Sequence, residues 1–129
     1  NMYRRGGNWV DFIYEDLLLV SLHPSGEVHW NTVINKRQFS QDDNGLFSSF
    51  FVFSNPSMLR ILFNDEIKSN NTASSYEVFG TGEVNRSSIL STQYQQLRLR
   101  FMESFQYSSN ALIIPSEYKG KLKLVQIQF

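Results

Sequence analysis

His23 and His29 are the only two histidines in the chain, and Glu27 lies between them. Imidazole and carboxylate are ligands of zinc and similar ions. The strand-turn-strand pattern around them puts both histidines on a polar face and supplies no fourth ligand, which falls short of what a zinc centre needs. Two solvated histidines and no bound metal are expected. Asp42-Asp43-Asn44-Gly45 resembles the start of a calcium loop but lacks the downstream Glu at the required spacing, so it reads as a turn. The absence of cysteine excludes a thiolate site and a Cys nucleophile, and no nucleophile elbow surrounds any serine. The sequence therefore names no catalytic, cofactor-binding or metal-binding residue, and the expectation is a protein that is not an enzyme.

A softer constellation remains. Lys36-Arg37-Gln38 follows one apolar strand and Asn64-Asp65-Glu66 follows another. If the loops meet, Lys36, Arg37, Gln38, Asn64 and Asp65 form a polar binding patch for a protein or a small molecule. The plainer outcome is an ion pair of Asp65 or Glu66 with Lys36 or Arg37, with Asn64 as a turn residue; such surface pairs contribute about 0–1 kcal/mol.

The elements that would carry these residues are strands. Aromatics are 15% of the 129 residues, with 11 Phe and 6 Tyr, whereas Ala occurs only at positions 73 and 111. Aromatic and β-branched side chains suit a pleated surface, and Ala suits helix. Lys plus Arg equals Asp plus Glu at 12 each, which argues against a nucleic-acid binder that works by neutralising phosphates. No apolar run approaches a membrane span.

Leu17 to Leu22 is an apolar run followed by Pro24-Ser25-Gly26 and then by Glu27 to Asn35. Pro and Gly in those places predict a tight turn with Gly26 at positive φ. The expected register sets Leu22 opposite Val28 and Val20 opposite Trp30, with Leu18, Val20, Leu22, Val28, Trp30 and Ile34 on one buried face. Lys36 to Asn44 reads as a polar loop. A second hairpin, Leu46 to Ser54 with Met58 to Phe63, turns at Asn55-Pro56-Ser57 and carries Phe on both faces, as suits a strand covered from both sides. The pattern then recurs. A shift of 56 places Val20 on Tyr76, Leu22 on Val78, Gly26 on Gly82, Glu27 on Glu83 and Val28 on Val84. Leu97 to Phe105 with Ala111 to Ile114 repeats the second hairpin at a shift of 52, and Leu122 to Phe129 repeats Leu17 onwards.

Two units of roughly 50 residues each, about 12–65 and 73–121, plus a closing strand at 122–129 fit the period of propeller blades. The fold expectation is all-β, with antiparallel four-stranded repeats forming a partial β-propeller. The alternative is a small up-and-down β-barrel enclosing an apolar ligand, to which the Gly7-Asn8-Trp9 tripeptide is the pointer. Two blades and a strand cannot close a propeller, so self-association through the terminal strand is expected.

Asp16 to Leu22, Pro24-Ser25-Gly26-Glu27, Trp30, Lys36-Arg37-Gln38, Leu62-Phe63-Asn64-Asp65 and Leu124 to Ile127 together resemble an uncharacterised family of exported bacterial proteins with propeller-like repeats. The resemblance implies export to the periplasm, cell surface or medium, in a longer precursor with a signal peptide, whereas Asn1-Met2-Tyr3-Arg4-Arg5 carries no signal-peptide apolar region. It implies a binding or scaffold module, and it supplies no activity, cofactor or catalytic residue.

Overall fold

The computed structural model describes residues 2–4, 7–65, 67, 72–91 and 96–129. Glu66, the alternative ion-pair partner above, lies outside them. The described chain is all-β and antiparallel: β1 (Met2–Arg4), β2 (Val10–Tyr14), β3 (Leu17–Leu22), β4 (Val28–Ile34), β5 (Gln38–Gln41), β6 (Phe51–Ser54), β7 (Met58–Asn64), β8 (Thr72–Phe79), β9 (Val84–Ser91), β10 (Phe105–Ser108), β11 (Ala111–Tyr118) and β12 (Lys121–Gln128). A short 3-10 turn at Phe101–Glu103 interrupts the strand expected from Leu97 to Phe105. The polar stretch after Lys36, expected as loop, contains β5.

These strands divide among four sheets, in the orders β1-β2-β5, β3-β4, β6-β7-β8-β9 and β10-β11-β12. An up-and-down barrel would join them in one closed sheet, which they do not form, and Trp9 is exposed rather than lining an interior. The four-stranded sheet straddles the sequence repeat. β7 pairs with β8 from Met58↔Phe79 to Asn64↔Ala73, so the second hairpin of the first unit joins the first hairpin of the next.

This central sheet is apolar on both faces, because β7 carries Ile61 and Phe63 towards one side and Leu62 towards the other. Ile61, Phe63, Val78, Tyr76 and Val84 pack with Ile34, Leu17, Leu19 and Trp30 of the β3–β4 hairpin. On the opposite face Phe53, Leu62 and Ala73 pack with Leu112, Ile114, Val125 and Ile127 of the β10–β12 sheet, and Leu97, Leu99 and Phe101 complete that layer. Three sheets are thus stacked face to face. Phe53, Leu62, Phe63, Leu99, Phe101, Leu112 and Ile114 are at most 1% exposed, so side chains fill both interlayer spaces.

The repeat is visible atom by atom in the two turns. In the β3–β4 turn the His23 N–H donates to Glu27 O at 2.8 Å and the Gly26 N–H to His23 O at 2.8 Å. In the β8–β9 turn the Phe79 N–H donates to Glu83 O at 3.0 Å and the Gly82 N–H to Phe79 O at 2.9 Å. Gly26 and Gly82 have φ of 89° and 90°.

The first hairpin has the expected bounds and the expected Leu22↔Val28 pair. Beyond it the register slips: Ser21 faces Trp30 and Val20 faces Asn31, with a bulge between Ser21 and Leu22 that leaves His29 as the extra residue. The bulge inverts the expected face of β3, while Trp30 and Ile34 of β4 stay on the buried side as expected. Leu17, Leu19, Trp30 and Ile34 face the central sheet, while Leu18, Val20, Leu22 and Val28 are exposed. Leu17 to Leu22 is apolar on both faces, so alternation alone could not choose between them.

Trp30 is half-buried and lies over the equivalent turn of the next unit. Its Nε1–H donates to Gly80 O at 2.9 Å, and a Cβ on Gly82 would fall 2.9 Å from Trp30 Cγ. Gly26 has open space around the corresponding position. Left-handed backbone costs a non-glycine residue about 1–2 kcal/mol, and overpacking adds about 1–3 kcal/mol. Gly82→Ala is therefore predicted to destabilise more than Gly26→Ala in urea unfolding. In a Trp30→Ala background the two substitutions should cost the same; an undiminished excess for Gly82 would place the ring elsewhere.

Candidate functional site

The ribbon formed by β2–β5 and β3–β4 is interrupted where Glu15-Asp16 lies opposite Asn35-Lys36-Arg37. Pairing runs through Tyr14↔Gln38 on one side of the break and Leu17↔Ile34 on the other. The Lys36 N–H, released from the ladder, donates instead to Asp16 Oδ1 at 2.9 Å. The break opens a notch of about 360 Å³ lined by Glu15, Asp16, Lys36 and Arg37. Neighbouring Glu15 and Asp16 between two apolar runs are the sequence signal for this feature, which lies within a ribbon rather than in a loop after a strand.

Within the notch the two cations differ. Arg37 is exposed. Lys36 is buried, and its Nζ donates to Gln38 Oε1 at 3.0 Å beneath the rings of Tyr14 and Phe63, 5.5 and 6.0 Å from their centroids. Burial drives its pKa down to about 8 against the opposing pull of Asp16. Gln38 Oε1 also accepts the Ser49 N–H at 2.8 Å, and Gln38 Nε2 donates to Asn64 O at 2.7 Å. Asn64 in turn donates from Nδ2 to Phe47 O at 2.9 Å and Leu99 O at 2.8 Å. Lys36, Gln38 and Asn64 thus form one buried polar chain that ties β5, β7 and the two loops preceding β6 and β10 together. A buried network so nearly satisfied fixes a single arrangement.

Asp65 belongs to a different cluster. It accepts from Ser74 Oγ and pairs with Arg86 at 3.2 Å, rather than with Lys36 or Arg37. The five residues singled out in the sequence therefore divide into a buried trio, an exposed arginine at the notch, and an aspartate held by β8 and β9. Asn64 is a strand residue rather than a turn residue.

Elsewhere, Asp42-Asp43-Asn44-Gly45 does form a turn: Asp43 Oδ1 accepts from Ser40 Oγ and from the Gly45 N–H, and Asp42 Oδ1 from the Val10 N–H. Asp43 also lies 4.0 Å from Arg98, whose guanidinium stacks 3.7 Å above the Phe47 ring. His23 and His29 are exposed with ring centroids 4.7 Å apart. Among the described residues no group of three or more His, Cys, Asp or Glu side chains could hold a metal ion, and no helix is long and apolar enough to cross a membrane. No protein-family model matches the chain, and neither a curated protein nor a solved structure matches it.

The lowered Lys36 pKa has a consequence for stability. The unfolded lysine, near 10.5, binds its proton more tightly than the folded one. Between about pH 8 and 10.5 the unfolded state therefore holds more protons, and stability rises with pH across that window. Urea midpoints of the parent are predicted to climb across it relative to those of Lys36→Met; parallel profiles would show that Lys36 is not desolvated.

Proposed function

We propose that the chain is a non-catalytic binding or scaffold module, part of a propeller-like stack belonging to an exported protein. The observation that carries this reading is the face-to-face stacking of three antiparallel sheets whose β3–β4 and β8–β9 turns repeat the same hydrogen bonds. Stacks of this kind present loops and strand breaks at their ends, where a rigid scaffold positions residues for contact. The notch at Glu15, Asp16, Lys36 and Arg37 is such a place, and its paired charges suit a polar ligand bearing both signs. Balanced overall charge supports a protein or small-molecule ligand over a nucleic acid. The resemblance to exported bacterial propeller-like proteins supports the location.

Arg37 is the exposed cation of the notch and the Lys36 amine is held behind it against Gln38, so the experiment changes each in turn. The immobilised chain is probed with peptide and oligosaccharide arrays, and the same preparation is incubated with an activated chromogenic ester. Retention of an array member that is lost in Arg37→Glu, with no turnover above that of Lys36→Met, is the expected outcome. Multiple-turnover ester cleavage that disappears in Lys36→Met would overturn the reading in favour of an enzyme.

A further inference from the structure

Both outer faces of the stack are apolar and exposed, and the internal repeat identifies what each is built to meet. The first face belongs to β3–β4, where Leu18, Val20, Leu22, Val28 and Val33 are 48–67% exposed. Val20 and Leu22 correspond to Tyr76 and Val78 at a shift of 56, and these correspond to Val125 and Ile127 at a shift of 49. In the second and third sheets those positions are covered by the preceding sheet: Tyr76 and Val78 by β3–β4, Val125 and Ile127 by the central sheet. The β3–β4 face thus lacks a preceding sheet among the described residues.

The other end is complementary. Leu17 and Leu19 correspond to Ala73 and Ser75, and these to Leu122 and Leu124. Leu17 and Leu19 pack on the following sheet, and Ala73 and Ser75 are fully buried. Leu122 and Leu124, at 66% and 71% exposed, lie uncovered on the sheet face that also carries the exposed Phe105. This face lacks a following sheet among the described residues. Each end therefore offers the side that the other end's repeat positions are formed to contact, with Val20 opposite Asn31 on one face and Leu124 opposite Pro115 on the other, while Glu117 opposite Leu122 is held by Arg100.

We propose that copies of this chain associate head to tail, the β3–β4 outer face of one seating on the β10–β12 outer face of the next. The proposal extends the stacked-sheet reading and does not depend on any ligand. It replaces edge pairing by the terminal strand with face packing, as between the sheets inside the chain. Head-to-tail contacts either close into a ring or run on as a filament.

Val20→Glu and Leu124→Glu each place a charge on one end at an exposed position, where it leaves the fold intact; circular dichroism and melting verify this. Sedimentation velocity on the parent is expected to show species larger than one chain that grow with concentration, and each variant alone is expected to be monomeric. An equimolar mixture of the two variants is expected to regain association, because one copy keeps an intact first face and the other an intact second face. A parent that is folded yet monomeric at tens of micromolar would overturn the proposal while leaving the stack intact. So would an association abolished by only one of the two substitutions, since that marks a like-on-like contact.

Discussion

A strand segment with three successive large apolar residues has no face to give to water, and the structure depends on how Ile61-Leu62-Phe63 of β7 meets that constraint. Ile61, Leu62 and Phe63 are each at most 4% exposed although neighbours point to opposite sides. Burying a large apolar side chain contributes about 1.5–3 kcal/mol, so leaving either side of β7 wet would forfeit several such contributions. Two covering layers are required. The β3–β4 hairpin supplies one and the β10–β12 sheet supplies the other, and the order of the layers follows the order of the chain.

The same constraint explains why the sheet and the sequence repeat are out of phase. In sequence, each unit is a tight-turn hairpin followed by a second hairpin. In space, the second hairpin pairs with the tight-turn hairpin of the next unit, and the first hairpin of its own unit packs against its face. Every unit boundary is crossed by a ladder of hydrogen bonds. Arg60 and Glu77, one from each unit, form an ion pair across the β7–β8 pairing, and the Arg60 guanidinium stacks 4.2 Å from the Phe129 ring. The interlocking leaves each internal layer covered twice and each outer layer covered once.

Much of this was legible in the residues, and the failures have local causes. Pro24 and Gly26 announce the first turn, and Gly82 its repeat, because a position with φ near 90° excludes most side chains. The composition leans towards sheet, and the hairpin pattern makes the chain all-β. The face of β3 was not legible: Leu17 to Leu22 is apolar on either side, and the bulge that decides it adds a single residue at His29. The candidate patch failed differently. Lys36, Gln38 and Asn64 are residue types that ordinarily face solvent, but Gln38 meets Asn64 across 26 positions, and only that meeting makes their burial tolerable. Arg86, the partner of Asp65, lies 21 positions away on a strand with no charge pattern to advertise it.

The central claim is that β7 pairs with β8, so that the four-stranded sheet forms across the boundary between repeats. Backbone nuclear Overhauser contacts in the isotope-labelled protein test it most directly. The account predicts cross-strand contacts joining Leu59 to Val78, Ile61 to Tyr76 and Phe63 to Ser74, together with methyl contacts between Ile61 and Ile34 across the layers. Backbone contacts between β4 and β6 instead, with none between β7 and β8, would mean that each repeat folds its own sheet, and the account would be wrong.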